Sequence, residues 1–186
     1  MILEIIQNNI WFSIAAVAGA YLIEPTYSIG YIVFTLVSLS LLIYWLHRWT
    51  HHNQNWFTEL HVKYHHQHVQ TPLTILNEII FDFMGAGGFV ALFSILFGLQ
   101  RWISPYLAIY FGLIYMFIHM YTNTYFRDSE QHLLHHAHQK YNFSPDVFDH
   151  IFQTSFDNSV EDNNQNIPLA ILATSITLVC KYYAEQ

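Results

Sequence analysis

Residues Ile29 to His51 read IGYIVFTLVSLSLLIYWLHRWTH, and this stretch decides the fold. From Ile29 to Leu46 the chain runs eighteen residues without a charge, close to the ~20 that an α-helix needs to cross a bilayer. The two histidines that follow, His47 and His51, stand one helical turn apart, so a helix that continues past the apolar run presents both imidazoles on one face. Taken alone, such a pair is equally two polar residues at a helix end, near the negative pole of its dipole. Its weight comes from what the rest of the chain supplies.

Composition agrees with a membrane setting. Hydrophobic residues make up 53% and charged residues 10% of the 186, whereas soluble domains carry roughly 25% charged residues. Thirteen histidines stand against six lysines and arginines, an inversion that ordinary surface polarity does not produce. A formal net charge of -7 and no basic cluster argue against nucleic acid as a partner. The single cysteine, Cys180, excludes an intrachain disulfide and thiolate-rich metal sites. The N-terminal MILEIIQNNIWF lacks the basic start of a signal peptide and is expected to be retained.

Working outward, the apolar runs arrange as two hairpins. Ile10–Ile23, rich in alanine and glycine, turns through Glu24–Ser28 into Ile29–Leu46. Pro72 opens a third helix, apolar from Phe83 to Leu99, and Gln100–Arg101 turns it into Trp102–Ile118. The expected fold is an all-α integral membrane protein of one domain, residues 1–186, with four spans in two transmembrane hairpins. A histidine-rich helical cap and a short C-terminal apolar helix complete it. That last segment, Leu169–Cys180, is about twelve residues, short for a crossing, and reads as an interfacial or packing helix. Both turns fall on one side and every histidine on the other. Arg48, Lys63, Arg127, Lys140 and Lys181 are read as flanking the histidine side and Arg101 as lying opposite, which makes the histidine side cytoplasmic. Bacterial inner membrane and endoplasmic reticulum are not distinguished.

Three further histidine groups match the first. His61, His65 and His66 repeat the one-turn spacing, His132, His135 and His136 lie at i, i+3 and i+4, and His119 closes the fourth apolar run, with Asn123 one turn on. Nine imidazoles (His47, His51, His61, His65, His66, His119, His132, His135, His136) exceed the four of a structural zinc site or the three of a catalytic one, and the count fits two ions. Imidazole-rich ligation suits iron, zinc, copper or nickel rather than magnesium or calcium. Asn123, Glu78, Asp82, His138 and His150 are candidates for holding ligands in place from behind. Glu78 and Asp82 sit where the third helix enters the bilayer, where a carboxylate is costly unless paired. The rival reading is a histidine-rich membrane protein that binds or transports metal, although ionisable groups enter the helices only at those two positions.

The ordered set His47-Arg-x-x-His51, His65-His66-Gln67, His119-x-x-x-Asn123, His132-x-x-His135-His136 and Asn142-Phe-Ser…Phe148-Asp-His150-Ile-Phe-Gln-Thr154 resembles the fatty acid hydroxylase superfamily over about residues 44 to 156. Sterol desaturases, sterol hydroxylases and carotene hydroxylases belong to this group. The resemblance implies a four-helix membrane scaffold, a cytoplasmic centre of two iron ions, with zinc an expected substitute in purified protein, and dioxygen as co-substrate. It also implies a lipid substrate from the bilayer, fatty acyl, sterol or carotenoid, that is hydroxylated or desaturated. No cytochrome b5-like His-Pro-Gly-Gly stretch is present, so a separate donor, cytochrome b5-like or ferredoxin-like, is expected to supply electrons. The chain departs from the family pattern at His61, where His-x-x-His-His would place the histidine at position 62, and at Gln153, where glycine is common.

Overall fold

A computed structural model of the chain describes residues 1–52, 56–62, 66, 71–125 and 129–186, with side chains described at all of these but 57 and 122–125. The described residues contain helices and no strand. Helix α1 spans Ile2–Ile23 and α2 Ile29–His52, while α3, Trp56–His61, is a short turn beyond the end of α2. Helix α4, Pro72–Phe83, opens on a capping box in which Thr71 and Thr74 each accept the other's backbone N–H. A π-helical segment, Met84–Gly88, joins it to α5, Phe89–Leu96. Helix α6, Pro105–Phe117, starts at a Ser104 cap and continues as a π-helix over Ile118–Tyr125. Helices α7, Glu130–His138, and α8, Asp146–Ile151, precede a 3-10 turn at Asn164–Asn166 and the last helix, α9, Ile167–Ala184.

Ile2–Ile23, Ile29–His52, Pro72–Leu96 and Asn164–Ala184 are long and apolar enough to cross a membrane, and Pro105–Tyr121 is a shorter apolar helix. The set differs from the expectation at its last member. Residues 164–184 make a helical stretch of 21 residues, longer than the apolar core at Leu169–Cys180, because the polar residues on either side join the helix. Helix α9 lies alongside α1 in the same direction and over its full length. At one end Asn163 N–H donates to Asn8 O at 2.9 Å, and Asn164 Oδ1 accepts from the N–H groups of Trp11 and Phe12 at 3.1 and 3.2 Å. At the other, Lys181 Nζ donates to Ile23 O at 2.7 Å and to Glu24 Oε2 at 3.0 Å. Lys181 therefore stands beside the Glu24–Ser28 turn, on the end away from the histidines, and not on their side as its position in the sequence suggested.

The two hairpin turns meet at that far end. Tyr27 Oη donates to Gln100 O at 3.2 Å, Tyr31 Oη to Trp102 O at 2.9 Å, and Ser104 Oγ to Glu24 Oε1 at 2.8 Å. Between the ends, packing relies on small residues, as it must where lipid is as apolar as the side chains and only close approach adds contact. Ala20, Ala170 and Ala173 are fully buried in one cluster with Leu107 and Tyr110. A Cβ on Gly87 would collide with the Ala108 carbonyl, so α6 lies directly on the backbone of the π-helical segment.

Candidate metal centre

The end of α2 carries His47 and His51 past the apolar run, α3 delivers His61, and α7 delivers His132, His135 and His136 from behind a Ser129 cap that accepts the His132 N–H at 3.0 Å. The π-helix after α6 holds His119, which is buried. These elements converge. Nitrogen atoms of His47, His51, His61 and His135 all lie within 4.8 Å of one another, with His51 and His61 Nε2 3.1 Å apart. A second group adjoins it: His132 and His136 Nε2 are 2.9 Å apart, and the His66 and His119 rings stand 4.4 and 4.8 Å, centre to centre, from those of His136 and His132 respectively. The groups abut where the His66 ring lies 5.1 Å from His135.

Hydrogen bonds from outside fix which nitrogen faces inward. His47 Nδ1 donates to Phe143 O at 2.6 Å and His135 Nδ1 to Tyr141 O at 2.7 Å, which leaves each Nε2 directed at the cluster. His119 Nδ1 donates to Asp82 Oδ2 at 2.6 Å. Burial, reinforced by neighbouring imidazoles, holds His61, His66, His132 and His135 well below the ordinary histidine pKa, so at neutral pH they are uncharged and keep a lone pair to donate. His135 Nε2 is buried and no polar group among the described residues satisfies it. A soft-to-borderline metal ion fits such a set, since it accepts several neutral nitrogens at once where a proton satisfies one.

The two carbonyls that orient His47 and His135 belong to a loop held from below by Asp149. Its carboxylate accepts the N–H groups of Phe143 and Ser144 at 2.9 and 2.7 Å and the Thr154 hydroxyl at 2.6 Å. Thr154 Oγ1 in turn lies 2.8 Å from the Tyr44 hydroxyl, and Asn142 N–H donates to Thr154 O at 2.8 Å. Asn142 and Ser144 take left-handed backbone conformations, φ 56° and 54°, which turns the loop back under the cluster. Burial pushes the Asp149 carboxyl up to about 6 against the pull of its three hydrogen bonds.

Not every residue singled out from the sequence takes part. His138 is exposed and stacks on Phe156 with ring centres 4.2 Å apart. His150 is buried away from the cluster, with Nε2 donating to Ser159 O at 3.0 Å and 3.3 Å from Asp146 Oδ1. Both were expected behind the ligands; their sequence neighbours carry the work instead, the Tyr141 carbonyl near one and the Asp149 carboxylate beside the other. Asp82 stands behind His119, and Glu78, one turn earlier on α4, is buried. His65 and the side chain of Asn123 lie outside the described residues. Asp149 was missed as a positioning residue although the Asn142…Thr154 motif contains it, because nothing in the spacing tells which polar member of that motif is turned inward.

A cavity of about 510 Å3 opens beside the cluster, with His47, His61 and His119 in its wall and Ile43, Tyr115 and Phe89 among its apolar lining. No curated protein and no solved structure matches the chain. A family model described as Fatty acid hydroxylase matches residues 32–154, about two thirds of the chain and every histidine of the cluster. With the histidine geometry and the apolar helices agreeing, the chain belongs to the fatty acid hydroxylase family.

Proposed function

We propose that the protein is a membrane-bound non-haem di-iron oxidoreductase that uses dioxygen to hydroxylate, or desaturate, a fatty acyl, sterol or carotenoid lipid. Membership of the family points to an oxidative lipid-modifying enzyme. The observation that carries the finer reading is the cavity, which is lined mainly by apolar and aromatic side chains and has imidazoles of the cluster in its wall. His47, His51, His61 and His135 would hold one ion, and His66, His119, His132 and His136, with His65, the other. Bound iron would supply the oxidising power, drawn from dioxygen, that an unactivated C–H bond requires.

The chain's own residues then have separate tasks. Phe143 O, Tyr141 O and Asp82 keep the ring nitrogens pointed inward, so that metal binding does not wait on side-chain rearrangement. Ile43, Phe81, Phe89 and Tyr115 exclude water and present the lipid's methylenes to the cluster. In hydroxylation one oxygen atom enters the C–H bond and the other leaves as water. Two electrons come from a separate donor protein, cytochrome b5-like or ferredoxin-like. The donor would dock on the histidine side, which we assign to the cytoplasm. Among the described residues Arg48 and Lys140 flank that side, and Arg101 and Lys181 the other; Lys63 and Arg127, read from the sequence as flanking it too, lie outside the described residues.

The test is mass spectrometry of lipids from cells expressing the protein, together with metal analysis of the purified protein. A lipid gaining one oxygen supports hydroxylation, one losing two hydrogens supports desaturation, and neither, from metal-loaded protein supplied with a donor, overturns the reading. Zinc in the purified sample leaves the native metal open, because zinc displaces ferrous iron at nitrogen sites.

A further inference from the structure

The cavity beside the cluster descends between two helices. On one wall α2 contributes Thr50, His47 and Ile43, and on the other α4, its π-helical continuation and α5 contribute Asp82, Gly85 and Phe89 in turn. At roughly 1.5 Å per residue, Asp82 to Phe89 covers about 10 Å from the histidine layer toward the lipid-facing surface. Phe89 at the outer end is 48% exposed, whereas His119 at the inner end is 6% exposed. Gly85 lies between them, opposite Ile43.

Glycine is required by packing at the neighbouring Gly87 and not at this position. A Cβ on Gly87 would meet the Ala108 backbone, and one on Gly88 would press on Met84 Sδ at 2.7 Å. At Gly85 the nearest atom a Cβ would meet is Ile43 Cδ1 at 3.9 Å, ordinary contact distance with a side chain that itself lines the cavity. The backbone of Gly85 has no left-handed conformation to explain the residue either. A methyl at 85 would complete the cavity wall against Ile43, and only a larger side chain would reach past it into the cavity.

We propose that Gly85 is a specificity-determining residue, and that the bare stretch of cavity wall it makes beside Ile43 sets the girth of lipid that can lie along that wall with its reacting carbon at the histidines. This rests on the reading of the cavity as the lipid site given above. Larger side chains at 85 fill the passage one turn below Asp82 and leave the imidazoles in place.

The experiment compares full-length Gly85→Ala, Gly85→Val and Gly85→Phe proteins in membranes, reading the oxidised-lipid profile, metal content and melting temperature. Gly85→Ala keeps the wild-type profile. Gly85→Val shifts the remaining product toward slimmer lipids, and Gly85→Phe lowers product roughly tenfold or more with metal content unchanged. A metal-loaded Gly85→Phe or Gly85→Val protein with the wild-type profile overturns the proposal. A second measurement does not depend on turnover. In a Cys180→Ser background, the thiol of Gly85→Cys reacts with N-ethylmaleimide in detergent, and stearyl alcohol, used as the probe, slows that reaction several-fold. A thiol that the alcohol does not protect also overturns the proposal. Absence of oxidised lipid from wild-type protein, with protection retained, overturns the catalytic reading and leaves the position of Gly85 in the lipid-holding cavity standing.

Discussion

The two ends of the helix bundle both bury polar groups, and they resolve the cost in opposite ways. At the turn end, Glu24 divides its carboxylate between Ser104 Oγ at 2.8 Å and Lys181 Nζ at 3.0 Å, and Lys181 also meets the last carbonyl of α1. Donors there face acceptors, and the cluster is complete as it stands. At the other end imidazoles face imidazoles. Each inward nitrogen meets another base, burial keeps the rings neutral, and His135 Nε2 has no partner among the described residues. An arrangement of bases around a common point is costly for folding alone, and a cation shared among them would relieve that cost. One end holds the helices together, and the other is built for something the polypeptide does not contain.

Substitutions can break this contrast. The largest effect is expected from His135→Ala, which removes a nitrogen at the junction of the two histidine groups. Activity falls to background and metal content drops, measured by turnover and by elemental analysis of the same preparation. Asp149→Asn comes next. It keeps the shape but weakens the bonds that position the Phe143 carbonyl, and about 10- to 100-fold is lost in metal affinity or activity, the range for residues that orient ligands from behind.

Acid should separate the ends by charge. A histidine held below its ordinary pKa when folded binds fewer protons than when unfolded, so its contribution to stability is lost as pH falls below about 6.5. His61, His66, His132 and His135 all have this sign. Asp149, pushed up to about 6, has the opposite sign and partly offsets them below that pH. The net expectation is a melting temperature of metal-free protein in detergent that falls between pH 7.5 and 5.5; a rise would mean that the rings do not pack as neutral bases. Lys181→Met, at the complete end, should lower stability by about 1–3 kcal/mol, the range for leaving a partner of a part-buried pair unsatisfied, and leave metal stoichiometry untouched. Smallest is His138→Ala, with activity within about twofold, since the ring stacks on Phe156 at the surface.

The contrast also explains what the sequence discloses. The candidate ligands are legible because imidazoles one helical turn apart share a face, and that spacing survives as a pattern: His47 with His51, and His132 with His135 and His136. Even His61, one place away from the family's usual register, reaches the cluster through α3. The residues that aim the ligands are less legible. His47 and His135 are oriented by main-chain carbonyls, which have no letter in a sequence, and Asp149 acts by bonding to backbone N–H groups. His150, next to it and more conspicuous, points elsewhere. Helix α9 was underestimated for a related reason. Its apolar core is short, and its length comes from Asn164 and Lys181 finding partners on α1, contacts between residues more than 150 positions apart.

That pairing of the first helix with the last has a bearing on biogenesis. Asn8, Asn9 and Glu24 are made near the start of synthesis, yet Asn163, which bonds to the Asn8 carbonyl and the Asn9 side chain, and Lys181, which shares Glu24 with Ser104, are made only near its end. Until then the Asn9 side-chain oxygen lacks its donor and the Glu24 carboxylate one of its two partners, which favours a loose, protease-sensitive intermediate. A chain cut short before Asn163 should be cleared by quality control even though every histidine has already been translated.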